Sequence, residues 1–200
     1  MAVKLINQRF VDGFLTLIQP IVNLLIGLNV HPHAVTVAGL ILSIFSGLQF
    51  YRGNLVWGGA ILVLSGICDV LDGRLARTTN KVSKKGALFD SSIDRYTEVF
   101  VFMGLAAYYS PRAGWIVALM IFALGGSLLT SYVRARAEGL GIECKVGIMQ
   151  RPERLAYLSA GAVFSFIWDG LMIIAVAIVA IFANITAVQR IIHSFKNGGE

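Results

Sequence analysis

Four aspartates stand in the segment CDVLDGRLARTTNKVSKKGALFDSSID, which runs from Cys68 to Asp94 with apolar sequence on both sides. Asp69 and Asp72 are three residues apart, and Asp90 and Asp94 are four apart. On helices each pair shares one face. If the two helices are antiparallel neighbours joined by a short loop, the pairs converge at one depth. Four carboxylates brought together in a low-dielectric setting repel strongly, and cations make the arrangement tolerable. Hard oxygen ligands with open positions suit Mg²⁺, with Mn²⁺ as the substitute. Two such ions about 3.5–4 Å apart clamp a phosphoryl transfer. Gly73, Ala76 and Gly86 stand among the aspartates, and small residues let backbones or a diphosphate approach closely. The bland alternative is a ring of helix-end charges paired with nearby lysines and arginines. Ionisable residues inside membrane spans carry function by default, which favours the metal site.

The elements that must hold this constellation follow from composition. The chain has 200 residues, 56% of them hydrophobic and only 14% charged, with mean hydropathy +0.74. Soluble domains carry roughly a quarter charged residues, so a polytopic membrane protein is expected. Uncharged runs cover 34–51, 53–68, 113–133, 155–168 and 170–189. A further run, 87–111, is interrupted near its start by Asp90, Asp94, Arg95 and Glu98. The runs predict an all-α integral membrane protein with six transmembrane helices within 31–193. Residues 1–30 predict an amphipathic helix lying in the interface. Gln8, Asp12, Thr16, Gln19 and Asn23 form its polar stripe, and Phe10, Phe14, Leu17, Ile21 and Leu25 the apolar one. Lys4, Arg9 and Asp12 break any compact basic–apolar–small pattern, so no cleavable signal peptide is expected. Residues 194–200 form a tail, and 1–200 read as one domain.

Charge gives the orientation. With the N-terminus inside, the outer loops hold only Arg52 and Arg112, and the remaining 15 of 17 lysines and arginines fall inside. The positive-inside rule then places both termini and the aspartates at the cytoplasmic face of the cell membrane. The net charge of +6 is spread over span ends, which fits anionic lipid or phosphate and argues against nucleic acid. Two cysteines are too few for a disulfide framework.

The aspartate spacing is also a signature. D-x2-D-G-x2-A-R-x8-G-x3-D-x3-D is filled by Asp69, Asp72, Gly73, Ala76, Arg77, Gly86, Asp90 and Asp94. This resembles the CDP-alcohol phosphotransferases. The resemblance implies transfer of a phosphorylated group from a CDP-linked lipid, CDP-diacylglycerol or CDP-archaeol, to an alcohol, with release of CMP. It implies metal binding by all four aspartates, Asp94 as general base, and a homodimer. Arg77 would pair with the donor diphosphate, since guanidinium matches phosphate oxygens bidentately. Asp69, Asp72, Gly73, Ala76 and Gly86 would border the same nucleotide, with Ser83 as an added contact.

Arg134, Arg154 and Arg190 stand at the inner ends of three different spans. They read either as snorkelling anchors or as a pocket for a second phosphate. The pattern SYVRARAE, RPERL and VQR resembles the inositol-phosphate-using branch, the phosphatidylinositol phosphate synthases, although the first arginine is more usually lysine there. That resemblance implies inositol 1-phosphate as acceptor, held by Arg134, Arg154 and Arg190, with Glu153 orienting the arginines. Phosphatidylglycerophosphate synthase is the rival enzyme. A cation transporter is the rival outside enzymes, although the carboxylates cluster at one face and do not line a path. His31 and His33 read as a solvated turn.

Overall fold

The structure is a computed structural model that describes residues 8–198, with side chains from Leu15 onward. Residues 1–7 and 199–200 of the expected interfacial helix and tail lie outside it, as do the side chains of Gln8, Phe10, Asp12 and Phe14. The described chain forms seven α-helices and no strand. They are α1 (Gln8–Gly27), α2 (Pro32–Tyr51), α3 (Leu55–Thr78), α4 (Lys84–Tyr109), α5 (Gly114–Gly139), α6 (Arg151–Val163) and α7 (Gly170–Asn197). A 3₁₀ turn at Phe164–Phe166 follows α6.

Local chemistry sets the helix ends. Pro32 opens α2 at a position whose N–H would be unpaired anyway, and His31 Nδ1 accepts from the His33 N–H at 3.2 Å. Helix α3 closes where Asn80 takes a left-handed φ of 54°. There the Lys81 N–H donates to the Ala76 carbonyl at 2.9 Å, and that of Asn80 to Arg77 at 3.4 Å. This is a Schellman closure, which satisfies carbonyls that a helix end otherwise orphans. The same pair of bonds closes α1 at Asn29, α2 at Gly53 and α5 at Gly141. Short connections make α3 antiparallel to both α2 and α4, but α3 and α4 do not pack on each other as expected: each packs on α2, which lies between them and holds their aspartate ends at one level.

Helix α4 lies tightly on α2. A Cβ on Gly104 would overlap the Gly47 carbonyl oxygen, and one on Gly47 would come within 2.5 Å of the Phe100 carbonyl oxygen. Glycine is required at both positions for the backbones to touch. In lipid such close contact, more than apolar transfer, drives helix association. Phe50, Leu62, Leu105, Met120 and Val176 are fully buried in the core that α2 to α7 share. Helix α5 packs on α7, and α6 on α3 and α7.

Among the described residues, four helices are long and apolar enough to cross a membrane: α2, α3, α5 and α7. Helix α4 has the length, at 26 residues, but carries Lys84, Lys85, Asp90, Asp94, Arg95 and Glu98. Helix α6 has only 13 residues and stops at Val163, short of the expected 155–168 run. The segment before it, 140–150, is irregular yet buries Cys144 and Met149, and the Met149 N–H donates to Thr186 Oγ1 at 3.0 Å. Trp57, Trp115 and Trp168 are all largely exposed and sit at the start of α3, the start of α5 and just before α7. All three therefore mark the end of the bundle opposite the aspartates, as aromatic residues do at a membrane interface.

Helix α1 packs on α3 through Ile18 and Val22, which are buried with Leu71 and Leu75. Leu17, Ile21, Leu24 and Leu28 stay exposed. On the polar side Arg74 donates to Gln19 Oε1 at 2.7 Å, and Gln19 donates to Asn23 Oδ1 at 3.0 Å.

Candidate metal and substrate site

The end of α3 carries Asp69, Asp72, Gly73, Ala76 and Arg77, and the start of α4 carries Gly86, Asp90 and Asp94. The carboxylates of Asp69, Asp72 and Asp90 each offer an oxygen within 4.8 Å of the others. Asp72 is 5% exposed, and the Thr36 hydroxyl of α2 donates to its Oδ2 at 2.6 Å. Asp90 Oδ1 is buried with no hydrogen-bond partner. A buried, unpartnered carboxylate oxygen beside two further carboxylates is costly unless a cation lies against it. All the donors are hard oxygens, so the residues present fit Mg²⁺ or Mn²⁺.

Asp94 stands one helical turn beyond Asp90 and is tied to the others through Arg151, the first residue of α6. Arg151 Nη1 donates to Asp69 Oδ1 at 2.7 Å, and Nη2 to Asp94 Oδ1 at 2.8 Å. Arg151 belongs to the RPERL motif but was not expected at the centre of the site. It precedes Arg154 by three residues and so shares its helical face, which is the signal that could have found it. Glu153, expected to orient the arginines, instead accepts from the Gln150 N–H at 3.0 Å and closes a capping box at the start of α6.

The three expected acceptor-site arginines face the same end of the bundle. Arg154 Nη2 donates to Glu98 Oε1 at 2.8 Å, with both side chains almost fully buried. Arg95 Nη1 lies 4.0 Å from the same oxygen. Arg190 donates from Nε to the Val146 carbonyl at 2.9 Å and from Nη1 to that of Thr130 at 2.7 Å. Arg134 pairs with Glu138 at 2.8 Å on the more open side. Arg190 lies within electrostatic reach of both Arg134 and Arg154. Arg95 and Glu98 were read from the sequence only as interruptions of a span. Glu98 Oε2, Arg95 Nη1, Arg151 Nε and Arg154 Nε are buried without partners, so unsatisfied polar atoms concentrate between α4 and α6. Such atoms are expensive unless a polar ligand or water reaches them.

At the C-terminal end of α3, the Arg77 guanidinium folds back over Gly73, where a Cβ would lie 3.4 Å from Nη2. Ser83 caps α4, accepting from the Gly86 N–H at 3.0 Å. A Cβ on Gly86 would meet His33 Cε1 at 3.3 Å, and the His33 ring packs on Phe89 with centroids 4.9 Å apart. His33 is therefore half-buried in the first turn of α2 against Phe89 and not in a solvated turn, whereas His31 is exposed and caps α2. Ala76 is half-buried.

Residues 29–188 match the model of the CDP-alcohol phosphatidyltransferase family. An archaetidylinositol phosphate synthase of Methanothermobacter thermautotrophicus is 35% identical over 81% of this chain and 82% of its own. A phosphatidylinositol phosphate synthase of Streptomyces avermitilis is 32% identical over 98% of this chain and 86% of its own. The crystal structure of the Mycobacterium tuberculosis phosphatidylinositol phosphate synthase with CDP-DAG bound superimposes with TM-score 0.83 at 30% identity, covering 90% of this chain and 94% of that one. The same M. tuberculosis protein has been solved with manganese and citrate. The chain belongs to the CDP-alcohol phosphatidyltransferase family and is a membrane-embedded transferase of that class.

Proposed function

From that membership we propose that the chain transfers the phosphatidyl or archaetidyl group of a CDP-linked lipid to a hydroxyl of inositol 1-phosphate. The products are phosphatidylinositol phosphate, or its archaeol analogue, and CMP. The observation that carries the transfer is the convergence of Asp69, Asp72 and Asp90 from two helices, with Asp94 one turn away. The names of the archaeal and actinobacterial relatives support the acceptor, and so does the gathering of Arg134, Arg154 and Arg190 at the carboxylate end. The CDP-DAG complex of the M. tuberculosis enzyme supports the donor.

Asp69, Asp72, Asp90 and Asp94 would hold two divalent ions, Mg²⁺ or Mn²⁺, whose chemistry is to neutralise the diphosphate and the charge that develops on the leaving CMP. Asp94 takes the proton of the inositol hydroxyl as that oxygen attacks the lipid-side phosphorus and the bond to CMP breaks. Arg77 pairs with the donor diphosphate, Gly73, Ala76 and Gly86 leave it room, and Ser83 adds a contact. Arg134, Arg154 and Arg190 hold the acceptor's own phosphate. In this reading α2 to α7 are six spans of a multi-pass cell-membrane protein, α1 lies in the interface, the site faces the cytoplasm and two copies form a homodimer.

The test is CMP release from CDP-diacylglycerol and CDP-archaeol, with inositol 1-phosphate, free inositol, glycerol 3-phosphate and serine offered in parallel. Fast release with inositol 1-phosphate alone is expected. Preference for glycerol 3-phosphate would keep the phosphate pocket and replace the acceptor. Preference for serine or free inositol would overturn the pocket.

A further inference from the structure

We propose that Arg151 is a built-in counter-ion of the aspartate cluster that competes with the divalent cation for Asp69 and Asp94, and so sets how tightly the site holds metal. The inference rests on the metal site of the proposed function and assigns a role to a residue outside its signature.

Three observations carry it. First, one guanidinium bridges carboxylates of two helices, reaching Asp69 Oδ1 on α3 at 2.7 Å and Asp94 Oδ1 on α4 at 2.8 Å. These are charge-assisted bonds at close to the shortest lengths such bonds take. Second, the Arg151 side chain is 14% exposed and its Nε is buried without a partner, so the group is held in the cluster and not merely drawn to it from solvent. Third, α4 and α6 do not pack along their backbones. Arg151 to Asp94 and Arg154 to Glu98 are two rungs of charge across the gap between them. The rungs differ. Arg154 and Glu98 are almost fully buried, whereas the Arg151 rung ends on carboxylates that also belong to the metal donor set.

A guanidinium and a hard dication cannot both use the same carboxylate lone pairs at full strength. Metal entry therefore requires Arg151 to loosen or leave its two bonds, and the same cationic group offsets the repulsion among the aspartates until it does. The arrangement ties metal loading to the freeing of the general base.

The experiment is direct Mn²⁺ binding, followed by the electron paramagnetic resonance of free Mn²⁺, on the purified full chain and its variants. Arg151→Gln keeps a polar side chain but removes the charge and the bridge. It is expected to bind Mn²⁺ at least about tenfold tighter, equivalent to about 1.4 kcal/mol. Arg151→Lys keeps the charge but cannot fork to both oxygens, and is expected to bind about threefold tighter. Arg77→Gln removes an equal charge nearby without removing the Asp69–Asp94 bridge, and should shift affinity less than about twofold. In chelator, Arg151→Gln should melt below the parent, and the gap should narrow in saturating Mn²⁺. Unchanged or weaker Mn²⁺ binding in Arg151→Gln, or an equal gain in Arg77→Gln, overturns the proposal while leaving the metal site intact. If Arg151→Gln fails to fold, parent-like affinity in Arg151→Lys overturns it. A parent that binds no Mn²⁺ overturns this inference and the proposed function together.

Discussion

Replacing Arg154 by alanine is expected to do two separable things. Its ion pair with Glu98 has side chains only 3% and 4% exposed, so truncation leaves a buried carboxylate without its main partner. Breaking one side of such a pair costs about 3–5 kcal/mol. Arg95, 4.0 Å from the same Glu98 oxygen, takes over part of that charge, which points to the lower end, about 3 kcal/mol. For a chain of this size that lowers the melting temperature by about 6–12 °C. Separately, if Arg154 also binds the acceptor phosphate, losing one charge-assisted hydrogen bond raises KM for inositol phosphate about 10–150-fold. The double variant Arg154→Ala with Glu98→Gln distinguishes the two. It removes the carboxylate that the single variant strands, at the cost of the weaker Arg95–Glu98 contact, so much of the melting point should return while KM stays high. The assays are thermal unfolding in micelles and steady-state CMP release. A single variant that melts within 2 °C of the parent, roughly the shift expected for half a kcal/mol to one kcal/mol, would refute the buried-pair reasoning. A double variant with parental KM would show Arg154 to be structural only, and the acceptor role would fall.

Three further outcomes are expected. Asp94→Asn should retain its fold but lose at least about 10²–10⁴-fold in kcat, since the amide cannot accept the hydroxyl proton, and near-normal turnover would remove Asp94 as base. Asp72→Asn and Asp69→Asn should each weaken Mn²⁺ binding about tenfold or more by removing a carboxylate from the donor set, as read by isothermal titration calorimetry. Gly104→Ala should melt well below the parent, because its Cβ would collide with the Gly47 carbonyl and push α4, with Asp90 and Asp94, off α2. Gly125→Ala, which meets nothing within 4 Å, should melt within about 2 °C of it and serve as control.

The helices were legible because their signals are local. Uncharged runs set their centres, whereas the ends, set by left-handed backbone at Asn29, Gly53, Asn80 and Gly141, came only with the structure. Asp69, Asp72 and Asp90 were legible because spacing on a helix fixes a face, and a short loop brings two faces together. Arg151 was not, because sequence spacing says that an arginine shares a face with Arg154 but not which carboxylate across a gap it will choose. Glu153 was misread because a helix start and a binding motif overlap in RPERL, and the Gln150 N–H lies nearer to it than any arginine. His33 was misread because its packing partner, Phe89, is distant in sequence. The uncharged run 155–168, already short for a span, conceals a helix that begins earlier, at Arg151, and breaks into a 3₁₀ turn at Phe164, because hydropathy registers neither the polar first turn nor the break.

Helix α6 carries a consequence for the lipid around it. Thirteen residues make a rod about 20 Å long, some 10 Å less than the hydrocarbon thickness of an ordinary bilayer. At the aspartate end α6 is preceded by the irregular stretch 140–150, which is only partly buried but is tied to the bundle by the Met149–Thr186 and Arg190–Val146 hydrogen bonds. If α6 is a span, as proposed above, the bilayer beside it must dimple inward, or water must follow the protein down to Arg151. Either way the elastic state of the membrane enters the reaction. A thin leaflet lets a lipid headgroup descend to the carboxylates at little cost, and a thick one resists the dimple by a fraction of a kcal/mol per ångström of mismatch. Turnover should thus fall as acyl chains lengthen in reconstituted vesicles, even with donor, acceptor and metal held constant, and the enzyme should gather in the thinner regions of a membrane that offers both.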